Sequence, residues 1–194
     1  LDVDVLLQDA RGAGDGQVGH RVAELLLRAR DLLLDLRLRG RDDALGHEVA
    51  VEFDISEAVT LEAVALCRPD LIVAPFLKRA IPDSVWRNHV CFVVHPGIVG
   101  DRGPSALDWA IMRDCAEWGV TVLQASGEMD GGDIWAAETF PMRLAKKSSL
   151  YRNEVIEAAV RAVLAAVERF QSGNFKQQPL DYSRLEVHGR LHAP

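Results

Sequence analysis

Short, continuous apolar runs recur along this chain and predict the strands of a buried sheet. Leu71–Ala74 and Val90–Val94 are apolar throughout, which is typical of strands covered on both faces. Val49–Ile55 alternates apolar and polar residues, as a half-buried strand does. Val120–Gln124 and Ile134–Phe140 complete the predicted sheet.

Between these runs, apolar residues repeat with the period of a helix, and capping residues mark the helix ends. Helices are predicted at Ser56–Cys67, Ile81–Arg87, Ser105–Ala116 and Leu150–Gln171. Ser148 or Ser149 caps the last helix, and Gly173 ends it. Because helices alternate with buried strands, we expect an α/β protein, namely a Rossmann-like three-layer sandwich with a mostly parallel sheet.

Two residues with proton-transfer chemistry follow neighbouring predicted strands. His95 comes directly after one strand, and Asp130 lies in the loop after the next. Ligands of parallel sheets bind beyond the carboxyl ends of the strands, so we expect both residues at one edge of the sheet. A histidine and a carboxylate that meet in a cleft can exchange protons with a substrate.

Composition divides the chain into three parts. Residues 1–45 contain no aromatic residue and no Lys, Ile, Ser, Thr, Asn or Pro, so we interpret them as an atypical segment that replaces or disrupts the first strand–helix unit. Residues 46–178 carry the regular pattern and form the predicted domain. Residues 179–194 are polar, show no packing pattern and are interpreted as a truncated linker. Gly12–Gly16 lacks the third glycine of a dinucleotide site, which favours a flexible turn.

Bulk properties exclude several classes of function. The formal net charge of -7 argues against a nucleic-acid partner, which requires a basic face. No apolar run is long enough to span a membrane and no signal-peptide pattern opens the sequence, so we expect a cytoplasmic protein without a membrane partner. Cys67, Cys91 and Cys115 show no metal-ligand spacing; we interpret them as small buried hydrophobic residues and expect no metal.

The most informative motif runs from His95 to Ser105, His-Pro-Gly-Ile-Val-Gly-Asp-Arg-Gly-Pro-Ser. A Gly-Val-Thr strand at Gly119–Thr121 and an Asp-Gly-Gly turn at Asp130–Gly132 follow it. In this order and spacing, the motifs resemble the formyltransferase domain that uses 10-formyltetrahydrofolate. The resemblance implies the formyltransferase fold, with His95 and Asp130 as the catalytic residues.

Longer stretches at 74–82, 95–111 and 148–154 are similar to the HypX/HoxX family of hydrogenase maturation proteins. This resemblance covers about residues 46–185. It implies a formyltransferase-like domain followed by an enoyl-CoA hydratase-like domain that is missing from this chain. It also implies formyl transfer from 10-formyltetrahydrofolate to coenzyme A, as part of the supply of the hydrogenase carbon monoxide ligand, with other maturation proteins as partners.

The same resemblance implies a set of residues that bind the folate: Phe76, Leu77, Lys78, Gly97, Arg102, Gly103, Ser105 and Gly131. The first three are expected to line the pteridine pocket. Arg102 either anchors the loop by hydrogen bonds to carbonyls or meets an anionic ligand. Asp133 is a weaker competitor of Asp130. Val93 stands where formyltransferases carry an Asn, so a backbone N–H, Lys78 or Arg102 would have to stabilise the oxyanion.

Two other functions agree with the sequence. The first is a formyltransferase whose acceptor is an amine, such as an aminoacyl group or a sugar nucleotide. The second is a folate-binding or scaffold module without turnover. The absence of the family's Asn at Val93 and the atypical residues 1–45 favour this second alternative.

Overall fold

The computed structural model describes residue 52 and residues 55–77, 79–181 and 186–187. The predictions for residues 1–45, the greater part of the predicted strand Val49–Ile55, and Lys78 lie outside these ranges. Within the described ranges, none of the helices combines the length and apolar character that crossing a membrane requires.

Helices and strands occur close to the predicted positions. The helices are α1 (Glu57–Cys67), α2 (Asp83–Trp86), α3 (Ala106–Met112), α4 (Lys147–Leu150) and α5 (Ile156–Ser172), and a π-helical turn at Tyr151–Val155 joins α4 to α5. The strands are β1 (Leu71–Pro75), β2 (Val90–His95), β3 (Asp101–Arg102), β4 (Glu117–Gln124), β5 (Ile134–Pro141) and β6 (Glu186–Val187).

The main sheet has the strand order β1-β2-β4-β5 and mixed directions. Strands β1 and β2 run parallel, whereas β4 is antiparallel to both β2 and β5. The expectation that the strands preceding His95 and Asp130 run parallel is therefore wrong. An apolar run predicts a buried strand without fixing its direction, and β4 pairs antiparallel with β2 although a helix at Ala106–Met112 lies between them in the chain.

The ends of α1 and α3 depend on local backbone conformation. Ser56 caps α1 as predicted, because its Oγ accepts a hydrogen bond from the N–H of Val59 at 3.3 Å. Helix α3 ends at Met112 and not at Ala116, since Asp114 adopts a left-handed conformation with φ 51°. Strand β4 begins at Glu117, before its predicted start at Val120.

The last long helix begins earlier than its serine residues predict. Lys146 is the N-cap of α4, so the predicted cap at Ser148 or Ser149 is wrong. Ser149 instead accepts a hydrogen bond from the guanidinium of Arg143 at 2.8 Å. Gly173 ends α5 in a left-handed conformation with φ 65°, as predicted.

Helix α5 covers the strands β4 and β5 and completes the core. Its buried face consists largely of small residues, which allow a helix to lie close to a sheet: Ala158, Ala159, Val160, Ala162, Val163 and Ala166. On the sheet, Phe92, Val94, Val120 and Val122 are fully or almost fully buried. Burying one such side chain contributes about 1.5–3 kcal/mol, so this layer holds β2 and its terminal His95 in place.

Parts of the predicted linker pack onto the domain. Leu180 is buried against Leu123 and Ile134, and Ile134 exchanges two backbone hydrogen bonds with Gln178. Strand β6 pairs in parallel with β3. The expectation that residues 179–194 lack packing is therefore wrong for Leu180 and for β6, because a single apolar residue and a two-residue strand produce no periodic pattern.

Candidate active site around His95

His95 is the last residue of β2, and its imidazole lies between two carboxylates. Its Nε2 is 2.7 Å from Oδ2 of Asp101, and its Nδ1 is 3.4 Å from Oδ2 of Asp130. His95 is only 4% exposed. The ring is therefore enclosed by the two carboxylates and held away from bulk water.

Asp101 is the member of this group that the sequence analysis missed. It lies six residues after His95, and its backbone N–H donates to the carbonyl of Ile98 at 3.0 Å, which closes the intervening turn. Its side chain is 2% exposed. The separation of 2.7 Å from Nε2 is that of a charge-assisted hydrogen bond. A carboxylate that ends a Pro-Gly turn begun by a histidine is the sequence feature that could have indicated this contact.

Gly97 makes room for the contact between His95 and Asp101. A Cβ at this position would lie 2.3 Å from Nε2 of His95 and 2.5 Å from Oδ2 of Asp101. The carbonyl of Gly97 accepts a hydrogen bond from Oγ1 of Thr121 at 2.8 Å, which ties the turn to β4. The structure thus brings the predicted residue Gly97 against His95.

Asp130 reaches His95 from the loop after β4, although β4 runs antiparallel to β2. Its Oδ2 also accepts a hydrogen bond from the backbone N–H of Gly103 at 3.0 Å. The Asp130 backbone is left-handed, with φ 49°, and its side chain is 12% exposed. Asp133, its competitor in the sequence analysis, is exposed.

Arg102 anchors the loop that carries Asp130, which was the first of its two predicted roles. Its Nη1 lies 3.2 Å from Oε2 of Glu128, and other guanidinium N–H groups donate to the carbonyl of Met129. Gly131 packs against the same group, since a Cβ there would be 2.9 Å from Nη2. His95, Asp130, Gly97, Arg102, Gly103 and Gly131 therefore form one cluster.

The structure shows other contacts for the remaining predicted binding residues, and Lys78 lies outside the described ranges. The ring of Phe76 packs edge-on against Tyr151, with centroids 5.9 Å apart. Its backbone N–H donates to the carbonyl of Val94 at 3.3 Å, which keeps the loop after β1 beside β2. Leu77 is half-buried, and Ser105 is the N-cap of α3.

An open cavity of about 460 Å³ lies next to the loop after β1. Its lining consists of Glu57, Arg79, Ala80, Ile81, Pro82 and Asp83. His95, Asp101 and Asp130 are not among the residues that line this cavity. Within the part of the chain that the structure describes, no group of three or more His, Cys, Asp or Glu side chains is arranged to hold a metal ion.

Comparison with known proteins identifies the family. Residues 51–167 match the sequence profile of the formyl transferase family. The chain belongs to the formyl transferase family. It is 58% identical, over 80% of its length, to the hydrogenase maturation factor HoxX of Bradyrhizobium diazoefficiens, and it spans 27% of that protein. It is also 28% identical, over 72% of its length, to 44% of a methionyl-tRNA formyltransferase of Roseiflexus.

Solved structures of formyl transferases share this fold. HypX from Aquifex aeolicus, crystallised in complex with tetrahydrofolic acid, matches 85% of the chain with a TM-score of 0.78 and 48% identity. The chain spans 28% of that protein. Methionyl-tRNA formyltransferase from Clostridium thermocellum is 18% identical and matches with a TM-score of 0.64. The match covers 86% of the present chain and 68% of that enzyme. The predicted α/β formyltransferase fold and the resemblance to HypX/HoxX proteins are confirmed.

Proposed function

We propose that this formyl transferase chain moves the formyl group of 10-formyltetrahydrofolate to the thiol of coenzyme A, as part of carbon monoxide supply in hydrogenase maturation. The observation that carries the proposal is the contact between His95 and Asp130, 3.4 Å apart at the end of β2, within a formyl transferase sequence. The tetrahydrofolic acid bound by HypX from Aquifex aeolicus supports the choice of a folate donor.

The residues present suit the proton transfer that this reaction requires. The folate supplies the formyl carbon, and the thiol supplies the attacking sulfur. An S–C bond forms, the bond from carbon to N10 breaks, and the thiol proton ends on N10, which gives formyl-CoA and tetrahydrofolate. His95 and Asp130 carry this proton, and Asp130 is the more exposed of the two, so it is the member that faces the reactants.

Groups other than the side chain of Val93 must stabilise the developing oxyanion. Val93 lies on the same face of β2 as His95, because side chains alternate along a strand, and it offers no hydrogen-bond donor. Arg102 is already engaged with Met129 and Glu128. We therefore assign this role to backbone N–H groups near His95 or to Lys78.

The amine-directed alternative draws support from the methionyl-tRNA formyltransferases among the relatives. Those enzymes are 20–29% identical to the chain, whereas the HoxX relative is 58% identical, which favours the coenzyme A acceptor. The net charge of -7 also disfavours a tRNA acceptor.

Because the chain spans about a quarter of its HoxX and HypX relatives, the remaining proposals concern a longer protein. We propose that residues 179–194 lead towards an enoyl-CoA hydratase-like domain and that the whole protein works in the cytoplasm with hydrogenase maturation proteins. Residues 1–45 are proposed to replace or disrupt the first strand–helix unit of the fold.

An acceptor screen tests the function. The 194-residue chain is incubated with 10-formyltetrahydrofolate and coenzyme A, an aminoacyl-tRNA or an amino sugar nucleotide, and the formylated product is identified by mass spectrometry. Formyl-CoA that disappears in His95→Ala supports the proposal, whereas a formylated amine selects the amine-directed alternative. Calorimetric binding of 5-formyltetrahydrofolate that survives His95→Ala, without transfer by the unmodified chain, selects the scaffold alternative.

A further inference from the structure

We propose that Asp101 is a positioning residue that keeps the proton of His95 on Nε2, so that Nδ1, which faces Asp130, is the nitrogen that exchanges protons during catalysis. The effect of Asp101 on catalysis rests on the proposed formyl transfer. The position of the proton on the His95 ring rests on geometry alone and is tested separately.

The two carboxylates hold the ring unequally. Asp101 lies 2.7 Å from Nε2, within hydrogen-bonding distance, and its side chain is 2% exposed. Asp130 lies 3.4 Å from Nδ1, and its side chain is 12% exposed. The Asp101 contact is therefore the shorter and the more buried of the two, whereas the Asp130 contact is longer and nearer to solvent.

Elementary hydrogen-bond chemistry assigns the proton. An ionised carboxylate only accepts hydrogen bonds, and a neutral imidazole carries one N–H. A short contact with Asp101 thus places that N–H on Nε2 and leaves the lone pair of Nδ1 facing Asp130. A proton that arrives from a reactant is then shared between Nδ1 and Asp130, while the ring stays oriented by its other nitrogen.

The backbone builds Asp101 into this position. Its N–H closes a turn onto Ile98, and it begins β3, which pairs with β6. Gly97 leaves the space between the ring and the carboxylate free of a side chain. Asp101 is consequently held in place before any ligand binds, which is the arrangement expected of a group that orients a base.

Nitrogen-15 NMR of the full chain with labelled histidine tests the proton assignment. The chain has six histidines, so the His95 signals are assigned by their loss in His95→Gln. We expect the single N–H of the neutral ring to lie on Nε2 in the unmodified chain. In Asp101→Asn, the amide donates to Nε2, so the proton should move to Nδ1. Identical His95 ring signals in both proteins would overturn the inference.

If Asp101→Asn does not fold, the unmodified chain still decides the matter. A low-field imidazole proton bonded to Nε2 and protected from solvent exchange supports the assignment. A proton found only on Nδ1 of His95 overturns it.

Kinetics test the catalytic half, with Asp133→Asn as the matched control because Asp133 is an exposed aspartate in the loop that carries Asp130. We expect Asp101→Asn to lower kcat by about 10²–10⁴-fold at an unchanged KM for the folate, and Asp133→Asn to leave both unchanged. An unchanged kcat in Asp101→Asn refutes a catalytic effect. If the unmodified chain transfers no formyl group to any acceptor, the proposed function fails. The NMR experiment still decides whether Asp101 keeps the His95 proton on Nε2.

Discussion

The guanidinium of Arg102 donates two hydrogen bonds to the main-chain carbonyl of Met129, from Nε at 2.8 Å and from Nη2 at 2.5 Å. Met129 directly precedes Asp130, so this pair fixes the loop that brings the second carboxylate to His95. A fixed fork of donors suits this contact better than the single ammonium of a lysine.

Replacing Arg102 should therefore impair catalysis through the loop. We expect Arg102→Lys to lower kcat of the proposed formyl transfer by about 10–100-fold, since misplacement of a catalytic group by about 1 Å has effects of that size. Steady-state kinetics measure the effect. Glu128→Gln is the control, because the Glu128 side chain is 60% exposed and an exposed ion pair contributes little. Normal activity in Arg102→Lys would contradict the anchoring role.

His95 and Asp130 should behave as one catalytic unit. Because they share the transferred proton, we expect His95→Ala and Asp130→Asn each to lower kcat by orders of magnitude, and the double variant to be little worse than the more damaged single variant. Formyl-transfer kinetics and thermal unfolding of all variants test this, and unfolding should change little. Additive losses would show that the two residues act independently.

Gly97→Ala should damage both stability and activity. The new Cβ would overlap the contact between His95 and Asp101, so one of these side chains must move. We expect a loss of about 1–3 kcal/mol in the free energy of unfolding, measured with denaturant, together with impaired transfer. Gly127→Ala is the control, because a Cβ there would meet only the Trp86 ring at 3.9 Å. Equal effects of the two substitutions would rule out the steric argument.

Leu180 should contribute to the stability of the domain despite its place in the predicted linker. It is 5% exposed, whereas Leu144 is fully exposed. We expect Leu180→Ala to lower the free energy of unfolding by about 2–5 kcal/mol and Leu144→Ala to leave it almost unchanged. Chemical denaturation of both variants decides the matter. A Leu180→Ala protein as stable as the original would contradict the contribution of Leu180 to the core.

Cys91 should remain a neutral, unreactive thiol in the folded protein, whereas Cys67 is exposed. Burial raises the pKa of Cys91 from 9.0 to about 11. Thiol-labelling at pH 8 should thus modify Cys67 rapidly and Cys91 only on unfolding. Rapid labelling of both thiols in the native protein would contradict this prediction.

The same pKa shift predicts how stability depends on pH. Above about pH 9 the unfolded state loses the Cys91 proton, whereas the folded state keeps it up to about pH 11. The contribution of Cys91 to the free energy of unfolding is therefore complete below pH 9 and is lost as the pH rises towards 11. Cys91→Ala should remove this part of the alkaline decline in the free energy of unfolding. If the free energy of unfolding of Cys91→Ala declines equally at alkaline pH, the decline belongs to other groups.

The sequence by itself determined what depends on local pattern. The motif from His95 to Ser105 with the turn at Asp130 gave the family, because turn residues and an adjoining apolar strand are encoded within a few positions. Ser56 and Gly173 correctly marked helix ends, since capping depends on one side chain or on one left-handed residue. The choice of Asp130 over Asp133 also came from this motif, and the structure puts Asp130 beside His95.

Only the tertiary structure decided what depends on contacts between distant segments. The direction of β4 follows from its pairing with β2, and the burial of Leu180 follows from contacts with Leu123 and Ile134. The contact of Asp101 with His95 also became certain only in the structure, because the turn after His95 brings the carboxylate near without fixing whether it faces water or the imidazole. Periodicity reports which face of an element is buried, but the partner across the fold is chosen by packing and by the satisfaction of buried polar groups.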